Sequence, residues 1–141
     1  MYHYRKLDNA DIHFINELQR LRGYELISED SLPEEWVGYG AFTQQEEIVG
    51  ICFLFLYRRL PHSDYPTGVI AELGACYTVP EYRRQGIMSE LIGTCLKNVP
   101  QDCPQVGAIV ADASNQVIRI LMNKYGFEDA VEGERRLWKQ P

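Results

Sequence analysis

Residues Ala71 to Asn98 read AELGACYTVPEYRRQGIMSELIGTCLKN, and this stretch sets the architecture of the chain. Ala71 to Val79 is apolar enough for a mostly buried strand. Pro80 has no N–H to give to a ladder and marks the strand's end. Glu81 to Gln85 is polar and charged. Gly86 then opens a helical pattern in which Ile87, Leu91 and Cys95, flanked by Met88, Ile92 and Leu96, form one broad apolar stripe. Strand, turn and helix follow one another without a spare residue.

The turn carries the strongest chemical signal. The first N–H groups of a helix have no intrahelical partner, and the helix dipole favours negative charge there. Gly86, without a Cβ, lets an anion come close to the backbone. Arg83 and Arg84 add positive charge beside it. Residues of this kind in this order make a pyrophosphate cradle over Arg83, Arg84, Gln85, Gly86, Ile87, Met88 and Ser89. The alternative for the two arginines is plain surface charge. The turn is not a Walker loop, since it lacks the Gly-Lys-Ser/Thr ending, and it is not a G-x-G-x-x-G dinucleotide turn.

Working outward from it, Asn98 to Gln105, with Pro100 and Pro104, is a connector, and Val106 to Ala111 is a short buried strand. The helix between this strand and Ala71–Val79 makes the two parallel. Asn115 to Lys124 is a helix with Val117, Ile118, Leu121 and Tyr125 on one face, followed by a closing hairpin over residues 127–131 and 135–139. On the N-terminal side, Arg58 to Gly68 is a long loop of turn formers. Ile48–Tyr57 and Tyr39–Thr43 are strands joined by a turn at Gln44–Glu47. The pattern Ser31-Leu32-Pro33-Glu34 is that of a capping box and predicts a short helix. Ile12, Ile15, Leu18 and Leu21 line a helix capped by Asp8 and stopped by Gly23, and Tyr2–Leu7 alternates as a first strand. The expectation is one domain over residues 1–141, of mixed α/β (α+β) class, with a mostly antiparallel central sheet of about seven strands, a parallel central pair and about four helices.

The whole-chain totals narrow the function. A chain of 141 residues is long enough for a sizeable core. A net charge of −6 argues against general nucleic-acid binding, which needs a basic footprint. Cys52, Cys76, Cys95 and Cys103 show no metal-ligand spacing, and no metal site is expected. A disulfide framework is not expected either, which points to a reducing cytoplasm. The longest apolar run, Ile48–Tyr57, is too short for a membrane-spanning helix, and no membrane partner is expected.

Arg83-Arg84-Gln85-Gly86-Ile87-Met88, led in by Val79-Pro80-Glu81-Tyr82, resembles the Arg/Gln-x-x-Gly-x-Gly/Ala signature of the GNAT superfamily of acyl-CoA-dependent N-acyltransferases. Met88 stands where that family prefers Gly or Ala. A second anchor is Asn115, Leu121 and the Gly126-Phe127 corner, and the element order matches over nearly the whole chain. The resemblance implies that the two parallel strands splay at their C-terminal ends. It implies acetyl-CoA as co-substrate, its pantetheine arm in the split against backbone groups of Tyr77, Thr78 and Val79, with Asn115 bonding pantetheine or serving as a helix cap. It implies a small-molecule or peptide amine as acceptor, and homodimers are common among its members.

Direct acyl transfer to an amine needs a base for the amine, a polarised thioester carbonyl and protonation of the leaving thiolate. Glu72 is the candidate base, as the lone carboxylate of the apolar run Val69–Val79, where burial would raise its pKa. It also matches the position of the base in the histone-acetylating branch of the family. The alternative is a strand Glu facing solvent or paired with an Arg. Family members often carry a Tyr acid directly after the helix Leu; here Met122 follows Leu121. Tyr125, one helical turn on, is the substitute candidate, or else packs on the sheet. Glu29, Asp30, Glu34 and Glu35 would give the acceptor side a negative wall, or simply a solvated helix start. The reading from another class is a non-catalytic acyl-CoA-binding module or sensor.

Overall fold

The computed structural model describes residues 1–28, 31–58, 69–112, 121–129, 136–139 and 141. Its strands are β1 (His3–Lys6), β2 (Trp36–Phe42), β3 (Ile48–Arg58), β4 (Val69–Thr78), β5 (Ala108–Asp112), β6 (Glu128–Asp129) and β7 (Arg136–Lys139). They form one sheet in the order β1-β2-β3-β4-β5-β7-β6. Every neighbouring pair is antiparallel except β4 and β5, which run parallel. The crossover that a parallel pair requires is made by α2 (Ile87–Lys97) and the short α3 (Val99–Asp102), while α1 (Ile12–Arg22) connects β1 to β2. Residues 121–124 are also helical.

The sheet has a core on each face, and the strand period of two explains why. Along β3, Cys52 and Leu54 face α2, whereas Ile51 and Phe53 face α1. The stripe Ile87, Leu91, Ile92 and Cys95 of α2 is buried against the first face. Ile15 and Leu18 of α1 pack with Leu7 and Phe42 on the second. Each such side chain contributes roughly 1.5–3 kcal/mol relative to exposure. Asp8, whose side chain accepts the Ala10 N–H, caps a 3-10 turn over Asn9–Asp11 that leads into α1, and α1 ends at Gly23 with φ 72°. Gly38 leaves room for the ring of Phe53, which occupies the space a Cβ would need.

Some expectations shift. Ser31 to Glu34 opens no helix: the Trp36 N–H is donated to the Pro33 carbonyl (3.0 Å) in a tight turn, and the Leu32 N–H goes to Asn9 Oδ1 (2.8 Å). The capping pattern is present, but the residues after it alternate into β2 rather than forming a helical stripe. The connector after α2 contains α3, whose Pro100 lies in the first turn, where no helical N–H bond is lost. Arg58 belongs to β3, and the rest of the loop up to Gly68 lies outside the described residues.

Candidate active site

Strands β4 and β5 pair only from Ile70–Ala108 to Leu73–Ala111. Beyond that level β4 continues to Thr78, so residues 74–78 have no partner on β5. A bulge begins at the same level. Between the pairs Phe53–Gly74 and Ile51–Tyr77, the single Cys52 of β3 faces both Ala75 and Cys76 of β4. Ala75 takes up the extra residue with a φ of 51°. A bulge bends its strand and increases its twist, so the sheet opens between β4 and β5 where the pairing ends.

Backbone alternation decides which groups line the opening. The Val79 N–H is donated to the Val49 carbonyl at 2.9 Å, toward β3. Tyr77, two residues earlier and opposite Ile51, turns the same way. Thr78 turns to the other edge, where its carbonyl accepts Arg83 Nε at 2.9 Å. Period two thus turns Tyr77 and Val79 toward β3, and of the three expected backbone partners Thr78 is the one that faces the opened edge. Thr78 also carries a buried hydroxyl, Oγ1, without a hydrogen-bond partner among the described residues. A buried orphan hydroxyl is costly unless something fills its need.

The turn that follows has the form of an anion nest. Arg84 has φ 64° and Gly86, the N-cap of α2, has φ 81°. Left-handed residues in such a turn direct successive N–H groups into one concavity. The first intrahelical bond runs from the Glu90 N–H to the Gly86 carbonyl, so the N–H groups of Ile87, Met88 and Ser89 have no helical partner. No side chain caps the helix, and a Cβ at Gly86 would meet nothing within 4 Å. Neither Arg83 nor Arg84 takes part in an ion pair among the described residues. Tyr2 fixes one side of the turn, donating its hydroxyl to Gln85 Oε1 at 2.6 Å. Ile87 is buried in the core, so only its backbone serves the turn, and Met88 packs on the same core. The Met88 side chain, where the family prefers Gly or Ala, thus has the core on one side. An open, positively flanked nest beside an orphan hydroxyl fits a phosphorylated co-substrate.

Glu72 stands opposite Phe55 of β3 and Val110 of β5, while its neighbours Ala71 and Leu73 face α2. Its side chain therefore lies on the α1 face, half-buried, one residue below the level where β5 parts from β4. It has no ion-pair partner among the described residues. Tyr57, two residues beyond Phe55 on the same face, has its hydroxyl pKa raised, first by burial and then by the Glu72 charge. Sequence reasoning missed Tyr57; only the register of β3 against β4 brings it to this face.

Tyr125 lies against the first turn of α2. Its hydroxyl donates to the backbone carbonyl of Ser89 and lies 2.9 Å from Ser89 Oγ, which also accepts Lys124 Nζ at 3.1 Å. This phenol, the candidate acid, ties residues 121–125 to the first turn of α2. Met122 is buried in the α2-side core and offers no proton. Asn115, Glu29 and Asp30 lie outside the described residues. Among those described, no cluster of three His, Cys, Asp or Glu is placed to hold a metal ion, and no helix is long and apolar enough to cross a membrane.

A second group that sequence reasoning missed bridges the turn to the far end of α1. The guanidinium of Arg22 lies 4.1 Å from the Tyr24 ring and 4.9 Å from the Tyr77 ring, and Arg83 approaches Tyr77 at 5.5 Å. Cation–aromatic spacing of this kind has no signature in one sequence, since the partners come from three elements.

Comparison with known proteins bears on the whole arrangement. No curated protein matches the sequence. Among solved structures, Arabidopsis thaliana NAA60 in complex with a bisubstrate analogue is similar with a TM-score of 0.71 at 13% identity, over 100% of this chain and 99% of that one. A GNAT-family acetyltransferase from Streptococcus pneumoniae gives 0.69 at 15%, over 100% of both chains. A predicted acetyltransferase from Clostridium acetobutylicum, solved with acetyl-CoA, gives 0.67 at 19%, over 94% of this chain and 93% of that one. At these identities the likeness is one of fold. The model of the acetyltransferase (GNAT) family matches residues 4–127, from β1 through the bulge and the nest to the Gly126-Phe127 corner, and the chain belongs to that family.

Proposed function

We propose that this protein is an N-acyltransferase that moves an acetyl group from acetyl-CoA directly to a primary amine in a ternary complex. The observation that carries the reading is the continuity of three features along one strand and the turn after it: a carboxylate at Glu72, an opened sheet edge from Gly74 to Thr78, and the nest at Arg84–Gly86. Solved relatives of the same fold hold acetyl-CoA or a bisubstrate analogue, which supports the choice of co-substrate. The nest and the Arg83 and Arg84 charges would receive the pyrophosphate. The Thr78 backbone and hydroxyl would meet the pantetheine arm. Four free thiols support a reducing compartment such as the cytoplasm.

In this mechanism Glu72 takes the proton of the acceptor ammonium, directly or through one water. The neutral amine attacks the thioester carbonyl, the C–S bond breaks, CoA leaves as thiolate, and the second proton lost by the nitrogen passes through water to that thiolate. A thiol with an ordinary pKa near 8.5 is a fair leaving group at neutral pH, so a water can return its proton. Glu72→Gln should lower kcat by roughly 10²–10⁴-fold while calorimetric affinity for acetyl-CoA stays the same. Unchanged turnover would remove Glu72 from the reaction. A second reading, a non-catalytic acyl-CoA sensor, draws support from the missing acid, since Tyr125 is bonded to Ser89 and Met122 is buried. Binding of acetyl-CoA without turnover of any amine in a broad panel would favour it.

A further inference from the structure

A concavity of about 550 Å³ opens between the C-terminal half of α1, the segment after it and the start of β2. Tyr24, Leu26, Ile27, Pro33 and Trp36 give it apolar walls, and Gln19 and Glu25 are among its polar groups. The volume is within the usual range for a small-molecule site. Its position follows from the aromatic stack beneath it. The Trp36 ring lies 5.6 Å from that of Phe53 and 5.0 Å from that of Phe55. Phe55 is in turn the direct cross-strand partner of Glu72, and its ring covers Gly74. Phe55 therefore links the floor of the concavity to the candidate base.

Its wall is built rather than incidental. Asn16, 3% exposed, donates Nδ2 to the Ile27 carbonyl at 3.0 Å and accepts the Ile27 N–H on Oδ1 at 2.8 Å. Gln19 Nε2 reaches the Glu25 carbonyl at 3.3 Å. With the backbone held from beneath, Tyr24 and Leu26 remain 56% and 49% exposed and lie together at the rim as an apolar pair. Carboxylates and one cation lie in and beside the concavity. Glu25, Glu34, Glu35 and Glu72 have no ion-pair partner among the described residues, and the nearby Arg22 guanidinium is stacked on Tyr24 and Tyr77.

We infer that this concavity receives the side group of the acceptor, and that the acceptor is a primary amine joined by a short linker to a flat apolar group. The apolar group would occupy the Tyr24–Leu26–Trp36 walls while the ammonium lies toward Glu72. A polyamine or an aminosugar would leave those walls bare. The inference rests on the acyltransferase reading for the identity of the site, and the same chemistry is found in a free arylalkylamine and in a peptide with an aromatic N-terminal residue.

The test is a set of calorimetric titrations with and without CoA, using phenethylamine, a tripeptide beginning with Phe, and spermidine. It is run on the wild type and on the double variant Tyr24→Ser/Leu26→Ser, whose exposed positions leave the fold intact, as checked by thermal melting. Acetyl-CoA is titrated separately. The expected result is binding of phenethylamine or the tripeptide at least tenfold tighter than spermidine, lost at least tenfold in the double variant, with acetyl-CoA affinity unchanged. Whichever of the two aromatic amines binds tighter identifies the source. Equal affinity for spermidine, no binding of either aromatic amine, or an unaffected double variant overturns the inference. Failure of acetyl-CoA alone to bind overturns the acyltransferase reading instead, and the amine titrations without CoA still decide the pocket.

Discussion

Tyr125 and Ser89 are 36 residues apart in sequence, yet their hydroxyl oxygens are 2.9 Å apart. A lone sequence cannot display such a pair, because the helical stripe shows which face of Tyr125 is inward but not what its hydroxyl meets. Tyr125→Phe should cost about 1 kcal/mol of stability, a typical net hydrogen bond, and leave turnover within threefold. A larger fall in kcat with unchanged stability would return the phenol to the reaction. Glu72 was readable as a lone carboxylate in an apolar run; its face was not, since a register shift of one would have turned it into the α2 core. Asp11 gives the acid dependence. Burial alone would push its carboxyl up, but Arg5, with contacts of 2.9 and 2.8 Å, and the Asp8 N–H outweigh this and hold it below the ordinary 3.8. The folded state thus keeps the charge to lower pH than the unfolded chain. Its stabilisation is complete above the unfolded value and fades as pH falls from about 4 through the folded value. Asp11→Asn should lose roughly 1.5–3 kcal/mol at pH 7 and flatten that part of the acid limb in urea titrations at pH 7, 4 and 3.

At the scale of elements, the sequence was clearest where structure is local. The stripe of α2, the Gly23 stop of α1 and the Gln44–Glu47 turn all depend on residues within a few positions of one another. It was weakest where a distant group competes, as at residues 31–34, where Asn9 takes the Leu32 N–H. The nest lies between these cases: its glycine was evident, whereas the left-handed Arg84 was not. Gly86→Ala meets open space, so its cost is backbone strain alone, roughly 1–2 kcal/mol, accompanied by weaker acetyl-CoA binding in calorimetry. Asn16→Ala should speed hydrogen exchange at Ile27 and raise the acceptor KM, while acetyl-CoA affinity stays at the wild-type value. Equal loss of both affinities would mean that α1 supports the whole site rather than the acceptor wall.

For the whole molecule, the alternation of β3 and the helical connection from β4 to β5 sufficed to forecast a mixed sheet with a parallel pair. They did not forecast that β7, rather than β6, lies beside β5, because a closing hairpin can dock through either of its strands. Nor did they reveal how the two faces divide the work. The nest is tied to the sheet through Arg83 and Thr78 and to β1 through Tyr2 and Gln85. Leu91→Ala, beneath it in the α2 core, should cost 2–5 kcal/mol, a large part of the stability of a domain of this size, and should be seen as a single cooperative shift of the urea midpoint. The acceptor wall, by contrast, hangs from α1 through the two hydrogen bonds between Asn16 and Ile27, aided by Gln19. That asymmetry bears on how such a protein can evolve. Mutations that lengthen, shorten or re-letter the segment after α1 need keep only its anchor, and they leave the machinery for the shared co-substrate undisturbed. Lineages with this arrangement can exchange one acceptor for another by drift in a single surface segment, without passing through a form that no longer folds.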